Sequence, residues 1–235
     1  MSTNYYTIEG LGVIKTTRRR NAQRITMRVK PDGEIVVNYP WFTASKDVTK
    51  FILDNTAWIK EQQNKHLEQK TVYKPGDTIK LFNTTIIIET SRREELNAYR
   101  GEKNEFLVKI PENIEVESQR VQKFISKVIV EACRLEAKIY LPVRVNELAS
   151  IHKFKYKQVF VKNLKSRWGS CSSQGNINLN VHLMRLPSHL IDYIILHELV
   201  HTVEANHGSG FWKLLDKISG GNARKYDKEV KKFKL

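Results

Sequence analysis

Leu196-His197-Glu198-Leu199-Val200-His201 sets two histidines four residues apart, with a glutamate directly after the first. On a helix, positions i and i+4 lie one above the other on the same face. Both imidazoles can then reach one tetrahedral Zn²⁺ with nitrogens at about 2.0–2.1 Å. Glu198 is placed to take a proton from a water activated by such an ion. A third histidine, His207, follows six residues after His201. On a continuing helix at about 100° per residue it would face away from the first two. The chain must therefore leave the helix between Thr202 and Asn206 for His207 to swing back, with Asn206 and Gly208 as residues that tolerate a left-handed helix end. Glu204 is the competing third ligand, but three residues beyond His201 on the same helix it could hardly reach round to the ion, so His207 is preferred.

The flanks of the box support a buried helix. Pro187-Ser188 opens it, with Ser188 as the expected N-cap. Leu190, Ile191, Ile194, Ile195, Leu199 and Val200 make it apolar on most sides, the pattern of a central helix. A carboxylate in that setting is costly unless partnered, and a metal site gives Glu198 a reason to be there. His189, near the helix start, reads as exposed. Beyond the box, Phe211, Leu214, Leu215 and Ile218 mark an amphipathic helix that packs the site from behind, and Gly220-Gly221 ends it. The basic tail from Ala223 onward reads as a last helix.

Upstream, Tyr156–Val161 and Asn176–Val181 read as strands that pair. Between them, Lys165-Ser166-Arg167-Trp168-Gly169-Ser170-Cys171-Ser172-Ser173 is rich in hydroxyls and small residues, which let backbones approach closely. Two readings of this stretch stand. It lines the cleft, with Arg167 holding an anionic or carbonyl group, or it is a buried turn in which Trp168 fills the core and Arg167 pairs with a helix end. A helix is expected from Glu117 to about Tyr140, stopped by Pro142, with a second helical stretch over residues 144–151.

The first 115 residues read as a mainly β unit with one helix. Ile25, Met27 and Val29 alternate with polar neighbours, Lys30-Pro31-Asp32-Gly33 is a turn, and Ile35–Tyr39 returns as the second strand of a hairpin. Arg18-Arg19-Arg20 falls in the preceding connection and reads as a solvated loop, because no aromatics interleave it. Residues 44–67 read as a helix with Trp58 in its core face. Strands follow at Thr78–Leu81, Thr84–Glu89 and Glu105–Ile110. Pro111–Glu117 is the expected boundary, giving domains 1–115 and 116–235.

Composition narrows the function classes. Hydrophobic content of 40% with 28% charged residues fits a globular chain, and no apolar run approaches the roughly 18 residues needed to span a bilayer. The two cysteines, Cys133 and Cys171, form neither a disulfide framework nor a Cys-x-x-Cys knuckle. The polar start Met1–Tyr6 lacks the apolar core of a secretory signal, so a cytoplasmic location is expected. The net charge of +15 is uneven. Residues 117–235 hold 21 Lys and Arg against 10 Asp and Glu, so the half with the box is the basic half. That bias favours polyanions and charged substrates, with nucleic-acid or nucleotide contact through the C-terminal half as the corresponding expectation.

Taken together, Ser166–Ser172, Ile177-Asn178-Leu179-Asn180, Pro187, Asp192–His201, Asn206–Ser209 and Phe211-Trp212 resemble the YgjP-like metallopeptidase domain, a family related to the SprT-like and other compact zincin cores. The resemblance covers most of residues 120–220, and extends more loosely to the Arg24–Pro40 hairpin and the Trp58-Ile59 helix. It implies an α+β chain whose second domain is a compact zincin-like catalytic core, with Zn²⁺ held by His197, His201 and His207 and Glu198 as general base. The metzincins share the box-to-third-histidine spacing but require glycine where this chain has Glu204.

The expected function is a zinc metallopeptidase acting on a peptide or protein, with Arg167 or Tyr193 as candidate donors to the oxyanion. Two alternatives keep the metal: a nucleotide (UTP) pyrophosphatase, and a nucleic-acid-associated protease of the SprT type. The pyrophosphatase reading lacks a G-x-x-x-x-G-K-[ST] phosphate loop and an acidic cluster for Mg²⁺.

Overall fold

The computed structural model describes residues 3–30, 33–68 and 71–235, and only the backbone of residues 65–68. Pro31 and Asp32 of the expected turn lie outside the described residues. The architecture is mixed α+β, with three small sheets and six α-helices among the described residues. The chain divides into compact units at Thr71–Val72.

In the first unit, β1 (Thr3–Ile8), β2 (Gly12–Arg19), β3 (Thr26–Val29) and β4 (Ile35–Pro40) form a sheet in the order β1-β2-β4-β3. β3 and β4 are the antiparallel hairpin that their alternation predicts, in register Met27 with Val37. Strand β2 runs parallel to β4 and extends through Arg19, so Arg18 and Arg19 belong to a strand and not to the expected loop. The single expected helix is two, α1 (Ser45–Asp54) and α2 (Thr56–Glu68). They break at Asn55, whose side chain donates to the Phe51 carbonyl at 2.7 Å and competes with helix continuation. Val48, Ile52 and Ile59 cover Ile14, Ile35, Val37 and Tyr39 to make the core. Trp58 stays outside it at 39% exposure, contrary to the expectation that it is core, because Ile59 takes the inward position.

In the second unit, β5 (Thr78–Lys80), β6 (Thr85–Ser91), β7 (Asn97–Arg100) and β8 (Glu105–Pro111) form a sheet ordered β5-β6-β8-β7. Its buried residues, Ile86, Ile88, Val108 and Ile110, share one core with Val121, Ile125 and Ile129 of the long helix α3 (Gln119–His152). That shared core is why the compact units divide at Thr71 and not at the expected 115/116. Glu136 of α3 reaches the sheet: its carboxylate accepts from the Asn83 amide and, at 3.3 Å, from the Thr84 hydroxyl, while Oε2 is buried with no partner among the described residues. Burial pushes its pKa up, and those hydrogen bonds hold it down only in part.

The expected stop at Pro142 does not occur, and α3 runs through it for 34 residues, about 50 Å. Proline costs one hydrogen bond and crowds the preceding turn. Here Leu141, Val145, Leu148 and Ala149, all buried in the shared core, hold the helix on both sides of the defect.

The remaining elements build the walls of the site. β9 (Gln158–Lys162), β10 (Gly169–Cys171) and β11 (Asn176–Asn180) form a sheet ordered β10-β11-β9, with β9 and β11 parallel and β10 on an edge. A short 3-10 helix, Val181–Arg185, leads to α4 (Ser188–Val200), α5 (Ser209–Ile218) and α6 (Ala223–Val230). Pro187, not Ser188, is the N-cap of α4. Arg144 of α3 grips Asp192 of α4 with two nitrogens, each at 2.7 Å from a carboxylate oxygen, and so fixes α4 along the long helix. No helix among the described residues is long and apolar enough to cross a membrane.

Candidate metal centre

The helix α4 is buried nearly all round, including Glu198, and ends at Val200 with His201 as its cap. Three main-chain turns then reverse the chain: Thr202 to Leu199, Val203 to Val200, and Glu204 to Val200. The helix thus ends at Val200, ahead of the Thr202–Asn206 interval in which the three-histidine reading expects the chain to leave it. No left-handed residue is used, since neither Asn206 nor Gly208 has a positive φ. His207 comes back on the far side of this reversal. The ligand atoms of His197, His201 and His207 lie within 4.8 Å of one another, and Nε2 of His207 is 3.0 Å from Nε2 of His197.

These nitrogens suit a metal. Tetrahedral zinc with nitrogens at about 2.05 Å separates its ligand atoms by about 3.3 Å, close to the observed pair. His201 turns Nδ1 to the Glu204 carbonyl at 3.1 Å, which leaves Nε2 directed at its neighbours. Burial pushes the His197 pKa down to about 4, helped by the facing His201 and His207. Burial also lowers His201. Neutral imidazoles are the form that a metal requires. Phe211, fully buried on α5, forms the floor: its ring centroid lies 4.8, 4.7 and 4.6 Å from those of His197, His201 and His207. This is the packing from behind that the α5 pattern predicts.

Glu204, the rival ligand, is outside the histidine group. Its carboxylate packs on Gly210 in the first turn of α5, where an added Cβ would stand 2.9 Å from Oε1. A negative charge there complements the helix N-terminus. His189 is partly exposed and meets Glu229 at 3.0 Å.

A cleft of about 640 Å³ opens over the histidines, lined by Ser166, Arg167, Gly169–Ser173, His197, Glu198, His201, Ala205 and His207. The Ser166–Ser173 stretch is therefore a cleft wall, and Arg167 lies on it. Trp168 also packs on the core, so both readings of that stretch hold in part. Burial pushes the Glu198 pKa up to about 8, opposed by the positive charge of Arg167. Tyr193 does not line this cleft. It lines an adjoining pocket of about 330 Å³ with Trp168, Ile194, Val230 and Phe233, which meets the first at Arg167, Gly169, His197 and Glu198. Its hydroxyl is buried with no hydrogen-bond partner among the described residues.

Two residues that the sequence reading did not assign hold the wall in place. Gly169 lets β10 lie directly on Glu198, since a Cβ there would be 2.7 Å from Oε1 and 2.8 Å from Cγ. Asn180, fully buried, ties down the approach to β10. Its Nδ2 donates to the Leu164 and Arg167 carbonyls at 2.8 Å each, and its amide donates to the Trp168 carbonyl at 2.8 Å. A buried asparagine within an apolar strand pattern, Ile177-Asn178-Leu179-Asn180, was the available signal.

A mixed α+β unit that brings a buried carboxylate beside three convergent imidazoles has the layout of a metal-dependent hydrolase. Comparison with known families makes this specific: the YgjP-like metallopeptidase domain matches residues 23–233, and the chain belongs to that family. The family implies a divalent metal, typically zinc. Two solved structures are similar to part of the chain. One is the metallopeptidase zymogen abylysin of Pyrococcus abyssi, at 23% identity over 38% of this chain and 90% of that one, with a TM-score of 0.35. The other is the zymogen jannalysin of Methanocaldococcus jannaschii, at 25% identity over 39% of this chain and 93% of that one, also with a TM-score of 0.35. No curated protein matches.

Proposed function

We propose that the chain is a zinc-dependent peptidase in which His197, His201 and His207 hold the ion and Glu198 is the general base. The observation that carries the peptide reading is β10, an edge strand beside the three histidines. Gly169, Ser170 and Cys171 pair with β11 on one side and line the cleft. The unpaired peptide groups of an edge strand are a template for an extended chain. A phosphoanhydride has no use for that template.

Bound zinc supplies a Lewis acid for the scissile carbonyl and lowers the pKa of water toward about 7. The residues of the chain do the rest. Substrate main chain pairs along β10, which orients the scissile carbonyl toward the histidines. Glu198 takes the proton of the attacking water and passes it to the leaving amine. Its buried position excludes competing solvent. Arg167, whose positive charge already acts on Glu198, is the donor assigned to the developing oxyanion. Tyr193, set in the adjoining pocket, is assigned to substrate side-chain binding there in place of the oxyanion role.

The test is hydrolysis of casein and of UTP by the zinc-loaded chain, each with and without chelator. Chelator-sensitive cleavage of casein with UTP intact supports the reading. Chelator-sensitive turnover of UTP with casein intact overturns it in favour of a nucleotide hydrolase.

A further inference from the structure

The sheet of the first unit carries charge for which the peptidase reading has no use. Between Lys15 and Lys30 the chain has seven Lys and Arg and no Asp or Glu. Strand alternation sorts them. Ile14, Ile35, Val37 and Tyr39 turn to the helices, so Lys15, Arg19 and Arg28 stand on the opposite face with Asn38. Arg19 donates Nε to Asn38 Oδ1 at 2.9 Å, and its terminal nitrogens have no partner among the described residues. Arg24 has none there either. The two guanidiniums line a shallow basin of about 510 Å³ with Asn21, Gln23 and Asn38, and no carboxylate among the described residues lines it.

Aromatic rings are exposed further along the same sheet, outside the lining of the basin. Tyr5 of β1 is opposite Lys15 in register, 63% exposed, with the lysine ammonium 5.9 Å from its ring. Trp41 and Phe42 follow β4 at 60% and 68% exposure. Trp41 is three residues past Asn38, about 10 Å along an extended chain. No ring lies among the arginines in the sequence, and Tyr5 joins Lys15 on their face of the sheet through the pairing of β1 with β2.

We propose that this face binds single-stranded nucleic acid, with phosphates on Arg19 and Arg24 and unpaired bases stacked on Tyr5 and Trp41. A cationic track beside open ring faces is what a single strand needs. A duplex keeps its bases stacked and leaves the rings unused. An anionic bilayer engages the cations but makes no use of the three amides beside them, whose donors and acceptors match the edges of bases.

The experiment is fluorescence anisotropy of a labelled twenty-nucleotide oligothymidine with the full chain, from 50 to 200 mM KCl. Joint Arg19→Ala and Arg24→Ala lowers affinity tenfold or more at 50 mM KCl and makes the log–log salt slope shallower by about 1.4, two phosphates at about 0.7 each. Joint Arg19→Lys and Arg24→Lys keeps the slope, which separates lost charge from lost fold. Joint Tyr5→Ala and Trp41→Ala weakens binding about tenfold or more and leaves the slope in place. Binding unchanged in the arginine-to-alanine variant overturns the proposal and moves the contacts to the basic second unit. Equal affinity for a twenty-base-pair duplex, indifferent to loss of the rings, also overturns it. So does variant-sensitive binding to phosphatidylserine vesicles with none to the oligonucleotide.

Discussion

The two walls of the cleft were written into the chain in different ways. One wall is the end of α4, where His197, Glu198 and His201 sit at fixed helical offsets and, in the proposed function, carry the chemistry on their own side chains. The other is β10, three residues long, where the side chains are small and, in the proposed function, the main chain receives the substrate. The α4 wall is rigid because it is buried. The β10 wall is held from outside, by pairing with β11 and by the fully buried Asn180. Substitutions on the first should therefore change chemistry at constant fold, and those on the second should change placement.

The largest effect is expected on the α4 wall. Glu198→Gln keeps zinc content at the wild-type level and lowers kcat by about 10²–10⁴-fold, measured on casein alongside elemental analysis. Full activity in that variant would remove proton transfer from the account. Next comes the point where the walls touch. Gly169→Ala forces the Glu198 carboxyl aside, because the new methyl would stand 2.7 Å from Oε1. A displacement of about 1 Å is worth on the order of 10²-fold in rate, with zinc retained. Unchanged kcat would mean that the close approach of β10 has no bearing on catalysis.

Asn180→Ala should act through the fold. It leaves the Leu164 and Arg167 carbonyls without their buried donor, at about 1–3 kcal/mol each in the worst case. Urea denaturation is expected to show a loss of about 2–3 kcal/mol, with KM raised more than kcat is lowered. A stability loss with no change in KM would detach the wall from substrate binding.

The smallest effect lies away from the site. Glu136, buried against the β5–β6 turn, has a pKa raised above its ordinary value by desolvation. The folded chain then binds a proton more tightly than the unfolded one between about pH 4.5 and the higher folded value, so stability falls as pH rises through that window. Glu136→Gln removes the charge and gives the orphaned Oε2 position a donor. Its melting temperature should exceed the wild type by a few degrees at pH 8 and converge with it near pH 4. A constant offset at all pH values would exclude the titration.

The same contrast explains what the sequence made readable. The α4 wall was legible because its residues lie within eleven positions of one another, and helix geometry converts spacing into direction. Angles alone set the condition for His207, that the helix must end before it for the ring to face the other two. The parallel pairing of β9 and β11 was half-legible, since apolar strand patterns announce strands but not direction. β10 was not legible as a strand: three small residues have no alternation to read, and the pairing with β11 that creates it comes from six to ten positions along the chain. Pro142 misled for a related reason. Local chemistry breaks a helix there, and only the buried surface on both sides restores it. The exposed Tyr5 on the face that carries Arg19 was likewise invisible, because it lies fourteen residues from Arg19 and joins that face only through strand pairing.

Elemental analysis of the purified chain tests the central claim most directly, with His197→Ala and Glu204→Gln measured beside the wild type. The account predicts one zinc per chain in the wild type and in Glu204→Gln, and background zinc in His197→Ala. Zinc retained at full stoichiometry by His197→Ala, or lost by Glu204→Gln alone, would contradict the three-histidine centre.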